Sequence, residues 1–123
     1  MTLSIVTPEH RYAQLVETLA SHSSVTVAAV RKRGLGSTAL CVGGRIFAVL
    51  SWSEQLVVRL AKERVDALVA AGRGARFEPF HGRPMQEWFE SGLGQETDWL
   101  SLAEEALSFA QGRQEAHSND EFP

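Results

Sequence analysis

Residues 38–60 read TALCVGGRIFAVLSWSEQLVVRL and form three apolar runs that two short breaks separate. An apolar run lies on each side of Gly43-Gly44, and two adjacent glycines tolerate the positive φ angles of a tight hairpin turn. A second polar break, residues 51–54, leads into a third run, residues 55–60. Because short turns join consecutive strands in antiparallel order, the stretch predicts three strands of an antiparallel sheet.

Helices are predicted before and after these strands. Thr7 is a typical N-cap residue, and Pro8 suits the first helical position because its missing N–H needs no partner there. Apolar residues then recur at helical spacing up to Ala20. A second helix is predicted over residues 61–71, and Gly72 is suited to the left-handed conformation that ends many helices.

The remaining elements flank this central block. Residues 25–30 are rich in β-branched residues and predict a strand. Residues 73–83 predict a loop or a short extended piece, and residues 85–90 predict a short edge strand. A last helix is predicted to begin at Thr97 or Asp98, both of which are N-cap residues.

This order predicts an α+β fold with two layers. The sheet is an antiparallel β-meander of four to five strands, flanked by helices that cover its apolar face. One domain is expected over residues 1–111, because 123 residues match the usual size of a single domain. Residues 112–123 are polar and lack periodicity, which predicts a frayed tail.

Composition excludes several classes of protein. The chain is 44% hydrophobic and 22% charged, as globular domains are, and its single cysteine excludes an internal disulfide. No apolar run approaches the about 18 residues of a membrane span. The first residues lack a basic leader and a long apolar segment, so a cytoplasmic location is expected.

The charges are distributed unevenly along the chain. Residues 1–83 contain 11 basic and 6 acidic residues, whereas residues 84–123 contain 1 basic and 9 acidic residues. Such a division is typical of a basic surface with an acidic tail, and it is equally compatible with a fold that interleaves the two halves.

Three motifs suggest catalysis or cofactor binding, and a structural interpretation is favoured for each. Residues 34–39 match the G-x-G-x-x-A dinucleotide fingerprint, but the segment predicts a turn before a strand where the fingerprint needs a helix. Cys41 lies between apolar neighbours and is expected to be buried. The four histidines lack the spacing of a zinc site. No catalytic residue, metal or cofactor is therefore predicted.

Two sets of residues remain as candidate binding sites. A nucleic-acid surface needs several cations on one face with an aromatic side chain for stacking, and the candidates are Arg31, Lys32, Arg33, Arg45, Arg59 and Trp52. Arg45 and Arg59 are expected to meet across adjacent strands. A small pocket is predicted at Phe80, His81, Arg83 and Trp88, with Arg83 as anion ligand. The structural alternatives are a loop-ordering hydrogen bond for His81 and core packing for Trp88.

Three segments in order resemble a known family. GGRIFA at residues 43–48, the passage from VVRL to ERV at residues 57–65, and GRPMQEW at residues 82–88 are similar to segments of TfoX N-terminal-like and YjbR (MmcQ)-like domains. The resemblance covers about residues 9 to 110. The family's hairpin cation is usually lysine, whereas this chain has Arg45.

The resemblance implies a compact α+β domain, and it implies no established enzymatic reaction and no cofactor. YjbR-like members are often labelled DNA-binding, and TfoX-like members are linked to competence regulation and protein contacts. The favoured hypothesis is a non-enzymatic regulatory or interaction domain that binds a protein partner or associates with itself, for which an edge strand is suited. The alternative is DNA binding through the basic residues of segment 31–83.

Overall fold

The computed structural model describes residues 7–29, 35–51, 53–77 and 86–120. Within these ranges the chain is α+β, with one antiparallel sheet of six strands and three α-helices. The elements are α1 (Pro8–Leu19), β1 (Val25–Ala29), β2 (Leu35–Val42), β3 (Arg45–Ser51), β4 (Leu56–Arg59), α2 (Lys62–Ala70), β5 (Gly74–Arg76), β6 (Trp88–Ser91) and α3 (Trp99–Asp120). None of the described helices is long and apolar enough to cross a membrane.

The first four strands form the predicted meander. The sheet order is β1-β2-β3-β4-β6-β5, and every neighbouring pair is antiparallel. Gly43 and Gly44 form the turn between β2 and β3 with φ angles of 60° and 80°, which confirms the predicted hairpin. Cys41 pairs with Ile46, and the residue before it pairs with Ala48, so β3 carries one extra residue as a β-bulge.

The far end of the sheet differs from the prediction. The expected edge strand is β6, but it lies between β4 and β5 and is therefore internal. The expected loop begins with β5, which brings the number of strands to six. Three residues of sequence GAR carry no hydrophobic alternation, so periodicity does not reveal β5. The strand forms because Gly74 lacks a Cβ and fits closely against the Glu90 carbonyl and the Phe89 ring.

All three helices pack on one face of the sheet, which we call the helix side. The core on this side joins α1, α2 and α3 to alternate residues of the strands. Leu56, Val58 and Leu60 belong to this core, as their alternation predicts. Its largest fully buried side chains include Trp99, Phe47, Phe89, Leu19 and Leu40.

The opposite face of the sheet, the back face, is also buried at its centre. Sequence patterning predicts one apolar face, but β3 and β4 are buried along most of their length on both sides. The back-face cluster consists of Ala39, Cys41, Val49, Val57 and Phe77. Strands that are buried on both faces have sequences of consecutive apolar residues, as residues 46–50 do.

Local hydrogen bonds explain where α1 and α2 begin and end. The Thr7 side chain accepts a hydrogen bond from the His10 amide at 3.1 Å, which confirms the N-cap. After α2, Gly72 has φ of 76° and donates its N–H to the Val69 carbonyl, and the next N–H reaches the Leu68 carbonyl. This pair of bonds is the Schellman arrangement, and it confirms the predicted end of α2.

The last helix begins as predicted but ends later. A single turn of 3-10 helix, Glu96–Asp98, precedes α3, whose first residue, Trp99, directly follows Asp98. α3 continues to Asp120, and the segment from Gly112 to Asp120 is therefore helical where an irregular tail is predicted. Backbone hydrogen bonds inside a helix sustain such a polar segment although its side chains show no periodicity.

A buried hydroxyl fixes α1 to the sheet. Tyr12 of α1 is 3% exposed and donates a hydrogen bond of 2.8 Å to the Thr38 carbonyl in β2. Thr38 lies where the register of β2 against β3 shifts between Leu35 and Ala39. Burial raises the pKa of the Tyr12 hydroxyl, so it remains a neutral donor to this irregular stretch of backbone.

Candidate interaction surface

The two edges of the sheet are formed by β1 and β5. β1 pairs with β2 in a regular register from Val25 opposite Val42 to Ala29 opposite Thr38. In the part of the chain that the structure describes, no strand pairs with the outer side of β1. An unpaired edge offers backbone N–H and C=O groups to another strand.

The helix-side face of β1 carries apolar side chains. Val25 and Val27 lie on the helix side, because their partners Val42 and Leu40 belong to the core on that side. Val25 is 7% exposed, whereas Val27 is 45% exposed. The helix layer therefore covers the start of β1 and leaves its middle open to solvent.

β1 lacks the devices that usually protect an edge strand. Its sequence, VTVAA, contains no charged residue and no proline, and its register against β2 shows no bulge. Natural edge strands are commonly blunted by lysine, proline, bulges or short length. β1 is a regular, uncharged edge of five residues, which is the form that accepts an added strand.

The opposite edge is protected. β5 has only three residues, and α2 packs beside it. Arg76 of β5 forms an ion pair with Asp66 of α2. A short strand that carries a charge and lies against a helix is poorly suited to pairing with a further strand.

α3 crosses the helix side from one part of the sheet to the other. Near its start, Trp99 Nε1 donates to Ser91 Oγ of β6 at 3.0 Å. Farther along, Gln111 Nε2 donates to Ser24 Oγ, next to β1, at 2.9 Å. The helix then continues for nine residues to Asp120, and at 1.5 Å per residue that is about 13 Å. α3 therefore reaches from β6 to the start of β1 and continues beyond its contact with Ser24.

The structure places two of the predicted nucleic-acid ligands, Arg45 and Arg59. Arg45 lies exposed opposite Val42 of the helix-side core, whereas Arg59 lies opposite Trp88, which packs against the back-face cluster. The two arginines therefore lie on opposite faces of the sheet, and the expected contact between them across adjacent strands is wrong. Arg59 is partly buried, and its Nη2 lies 3.0 Å from Glu87 Oε1. Arg31, Lys32, Arg33 and Trp52 lie outside the described residues.

Several other cations of the basic segment are paired with carboxylates. Arg64 Nε lies 2.7 Å from Glu105 Oε2 of α3, and Arg73 forms an ion pair with Asp98. Lys62 and Arg76 share Asp66. These pairs are partly exposed, and pairs of this kind contribute about 0–1 kcal/mol each. The fold thus interleaves the basic and acidic halves of the sequence.

A groove of about 260 Å³ lies between α2 and α3. Its apolar wall includes Leu68 and Leu102. The charged groups at its rim are those of the Arg64–Glu105 and Arg73–Asp98 ion pairs. Because these guanidinium groups are already engaged with carboxylates, the groove is not an open site for an anion.

The predicted pocket is described only at Trp88. Phe80, His81 and Arg83 lie outside the described residues. Trp88 is partly buried and packs against the back-face cluster, which fits the alternative of core packing. Cys41 lies in the same cluster and is 4% exposed, which confirms the expected burial. Burial raises the pKa of the Cys41 thiol, which disfavours the reactive thiolate.

The fingerprint-like segment is not a nucleotide site. Residues 35–42 form β2, so the helix that must follow the glycines of a dinucleotide-binding turn is a strand here. Among the described residues, no three histidine, cysteine or acidic side chains lie close enough together to hold a metal ion.

A cluster of hydrogen bonds around one carboxylate joins β6 to the turn after β3, and sequence patterns do not predict it. Glu90 Oε2 accepts hydrogen bonds from Ser51 Oγ and Ser53 Oγ, both at 2.8 Å. The backbone N–H of Gln55 donates a hydrogen bond to Ser51 Oγ at 3.3 Å. Glu90 lies on β6 and the two serines lie at the end of β3 and in the turn after it, so only the register of β4 against β6 brings these groups together.

Among the described residues other than glycine, Glu54 in this turn has a positive φ angle, of 66°. A hydrogen bond between carboxyl groups raises the pKa of Glu54 and lowers that of Glu9 in α1. We expect Glu54→Gly to have a Tm about 2–6 °C higher than Glu54→Ala, because glycine adopts this conformation without steric cost. Both variants lose the carboxyl group, so thermal unfolding of the pair isolates the backbone effect. Equal Tm values would contradict backbone strain at this position.

A comparison with models of protein families, with curated proteins and with solved structures finds no match to this chain. The fold and the surface geometry therefore carry the functional argument.

Proposed function

We propose that this protein is a non-enzymatic interaction domain that binds its partner by adding a strand to β1. The observation that carries the proposal is the contrast between the two sheet edges. β1 is regular, uncharged and exposed at Val27, whereas β5 is short and ion-paired to α2. Strand addition at an open edge is a recurrent mode of peptide recognition.

Backbone hydrogen bonds and a side-chain contact supply the binding free energy. Each new hydrogen bond along β1 contributes about 0.5–1.5 kcal/mol. Val27 is 45% exposed in the free protein, and a side chain of the partner covers it in the complex. Backbone pairing makes the affinity depend weakly on the partner's sequence, and the contact with the Val27 side chain adds selectivity.

The resemblance to TfoX-like and YjbR-like domains remains a prediction that agrees with a role in protein contacts. The described cations give less support to the DNA-binding alternative. Arg59, Arg64 and Arg73 already have carboxylate partners. Moreover, Arg59 lies on the same sheet face as Val57 of the back-face cluster, whereas Arg64 lies on a helix that packs on the helix side.

The test uses peptides of strand length selected from a random displayed library on the immobilised protein. Val27→Lys places a charge at the middle of the β1 edge. Ala75→Lys places the same charge at an exposed position of β5 and is the matched control. We expect selected peptides to shift the amide resonances of residues 25–29 and to bind Val27→Lys on the order of tenfold more weakly.

Two outcomes would contradict the proposal. One is a set of bound peptides whose resonance shifts fall elsewhere and leave residues 25–29 unchanged. The other is equal binding to wild type and Val27→Lys, with both proteins folded by circular dichroism. Weakening by Ala75→Lys alone would assign binding to β5 and would also contradict it.

A further inference from the structure

We propose that the strand added to β1 is β1 of a second copy of this chain, paired antiparallel about a twofold axis through Val27. The inference rests on the proposed function and names its partner. Joining the described sheets of two copies in this way gives one continuous sheet. The interface is isologous, as in most protein dimers.

The sequence of β1 is compatible with its own copy. A twofold axis at the central residue places Val25 opposite Ala29, Thr26 opposite Ala28, and Val27 opposite itself. This register uses all five residues of the strand, which is the longest overlap available. In a self-pair, a charged residue at the axis faces its own charge, and like charges opposite each other are destabilising. VTVAA contains no charge, so no position opposes the pairing.

The direction of the side chains also fits a second copy. A twofold axis perpendicular to the sheet keeps the helix side of both copies on the same side. Val27 lies on that side and is 45% exposed, so each Val27 covers the other. Residues directly opposite in an antiparallel pair have Cα atoms about 4.5–5.5 Å apart, which is within contact for two valines.

α3 adds a second area of contact. A ladder of five residues is small against the about 1,200–2,000 Å² that stable interfaces bury. Gln111 of α3 contacts Ser24, the residue before β1, so the helix reaches the start of this edge on the helix side. In the twofold arrangement the start of each β1 pairs with the end of the other, which places this part of α3 next to the second copy.

Sedimentation equilibrium over about a hundredfold range of concentration tests the dimer. We expect wild type to change from monomer to dimer as its concentration rises. Val27→Lys raises the dissociation constant by at least about tenfold, because two ammonium groups then meet at the axis. Ala75→Lys carries the same charge on β5 and leaves the constant unchanged. Circular dichroism and Tm show that both variants are folded.

Disulfide formation tests the register. Val27→Cys forms a covalent dimer under mild oxidation, because opposite Cα atoms about 4.5–5.5 Å apart match disulfide geometry. Thr26→Cys does not, because its opposite residue is Ala28. Cys41 is buried and is common to both variants. Equal cross-linking of the two variants would overturn the register.

The two proposals fail in different ways. The wild-type protein could be monomeric at all concentrations and still bind selected peptides at residues 25–29. This result would overturn the second copy as partner and would support strand addition at β1. A monomer whose β1 resonances respond to no peptide overturns both. A dimer that Val27→Lys does not weaken associates through another surface, which overturns the second copy as partner, whereas strand addition at β1 is then decided by the peptide experiment.

Discussion

Phe47→Ala is expected to lower the free energy of unfolding by about 3–5 kcal/mol. Phe47 is fully buried in the core between the sheet and the helices, and it is the extra residue of the β3 bulge. Truncation removes its ring from this core and leaves a cavity that the surrounding strands and helices cannot fully close. Chemical denaturation followed by circular dichroism measures the loss.

Phe47→Leu is the matched control. Leucine keeps most of the apolar volume, so its cost is expected to stay below about 1.5 kcal/mol. The expected difference is large because domains of this size have total stabilities of about 5–15 kcal/mol. A loss below about 1 kcal/mol for Phe47→Ala would show that the bulge does not direct this ring into the core.

Gly74→Ala is expected to destabilise the protein by about 3 kcal/mol or more. A Cβ at this position lies 2.2 Å from the Glu90 carbonyl oxygen and 2.7 Å from the Phe89 ring. The carbonyl belongs to the backbone of the paired strand and cannot move without breaking the β5–β6 ladder. Alanine therefore forces β5 away from the sheet. The substitution both causes a steric clash and breaks backbone hydrogen bonds between β5 and β6.

Gly112→Ala is the control for this substitution. Apart from the backbone of its own helix, no atom of the described residues lies within 4 Å of a Cβ built at Gly112, which is an exposed residue of α3. Alanine is favoured in a helix by about 0.5–1 kcal/mol, so this variant is expected to be slightly more stable and more helical. Amide exchange locates the effect of Gly74→Ala, and unchanged protection of residues 74–76 would contradict the close contact.

Local patterns were sufficient to predict the elements whose residues carry their own signals. Gly43-Gly44 marks the hairpin, Thr7-Pro8 marks the start of α1, and Gly72 marks the end of α2. In each case the chemistry of one or two residues sets the backbone conformation. These features need no information from distant parts of the chain.

Contacts between distant segments were not predictable from the sequence. β5 has no periodicity, and its pairing depends on the close approach of Gly74 to β6. The Glu90 contacts with Ser51 and Ser53 join residues almost forty positions apart. Only the tertiary register determines which distant polar groups meet.

The candidate site shows the same division. The strand at residues 25–30 is predicted, but its position at an open edge follows from the sheet order. The exposure of Val27 depends on where the helix layer ends. For the cations, the sequence permits either a basic surface or interleaved charges, and the ion pairs of Arg64 and Arg73 show the latter for those residues.

Amide hydrogen exchange of β1 at low and high protein concentration shows whether β1 is the edge through which two copies interact. In one sheet, alternate amides of an edge strand point outward and exchange with water. We predict that the outward amides among residues 25–29 become protected as concentration rises, while residues 74–76 of β5 keep their exchange rates. Exchange at β1 that is independent of concentration, in a protein that sedimentation shows to be dimeric, would contradict the account.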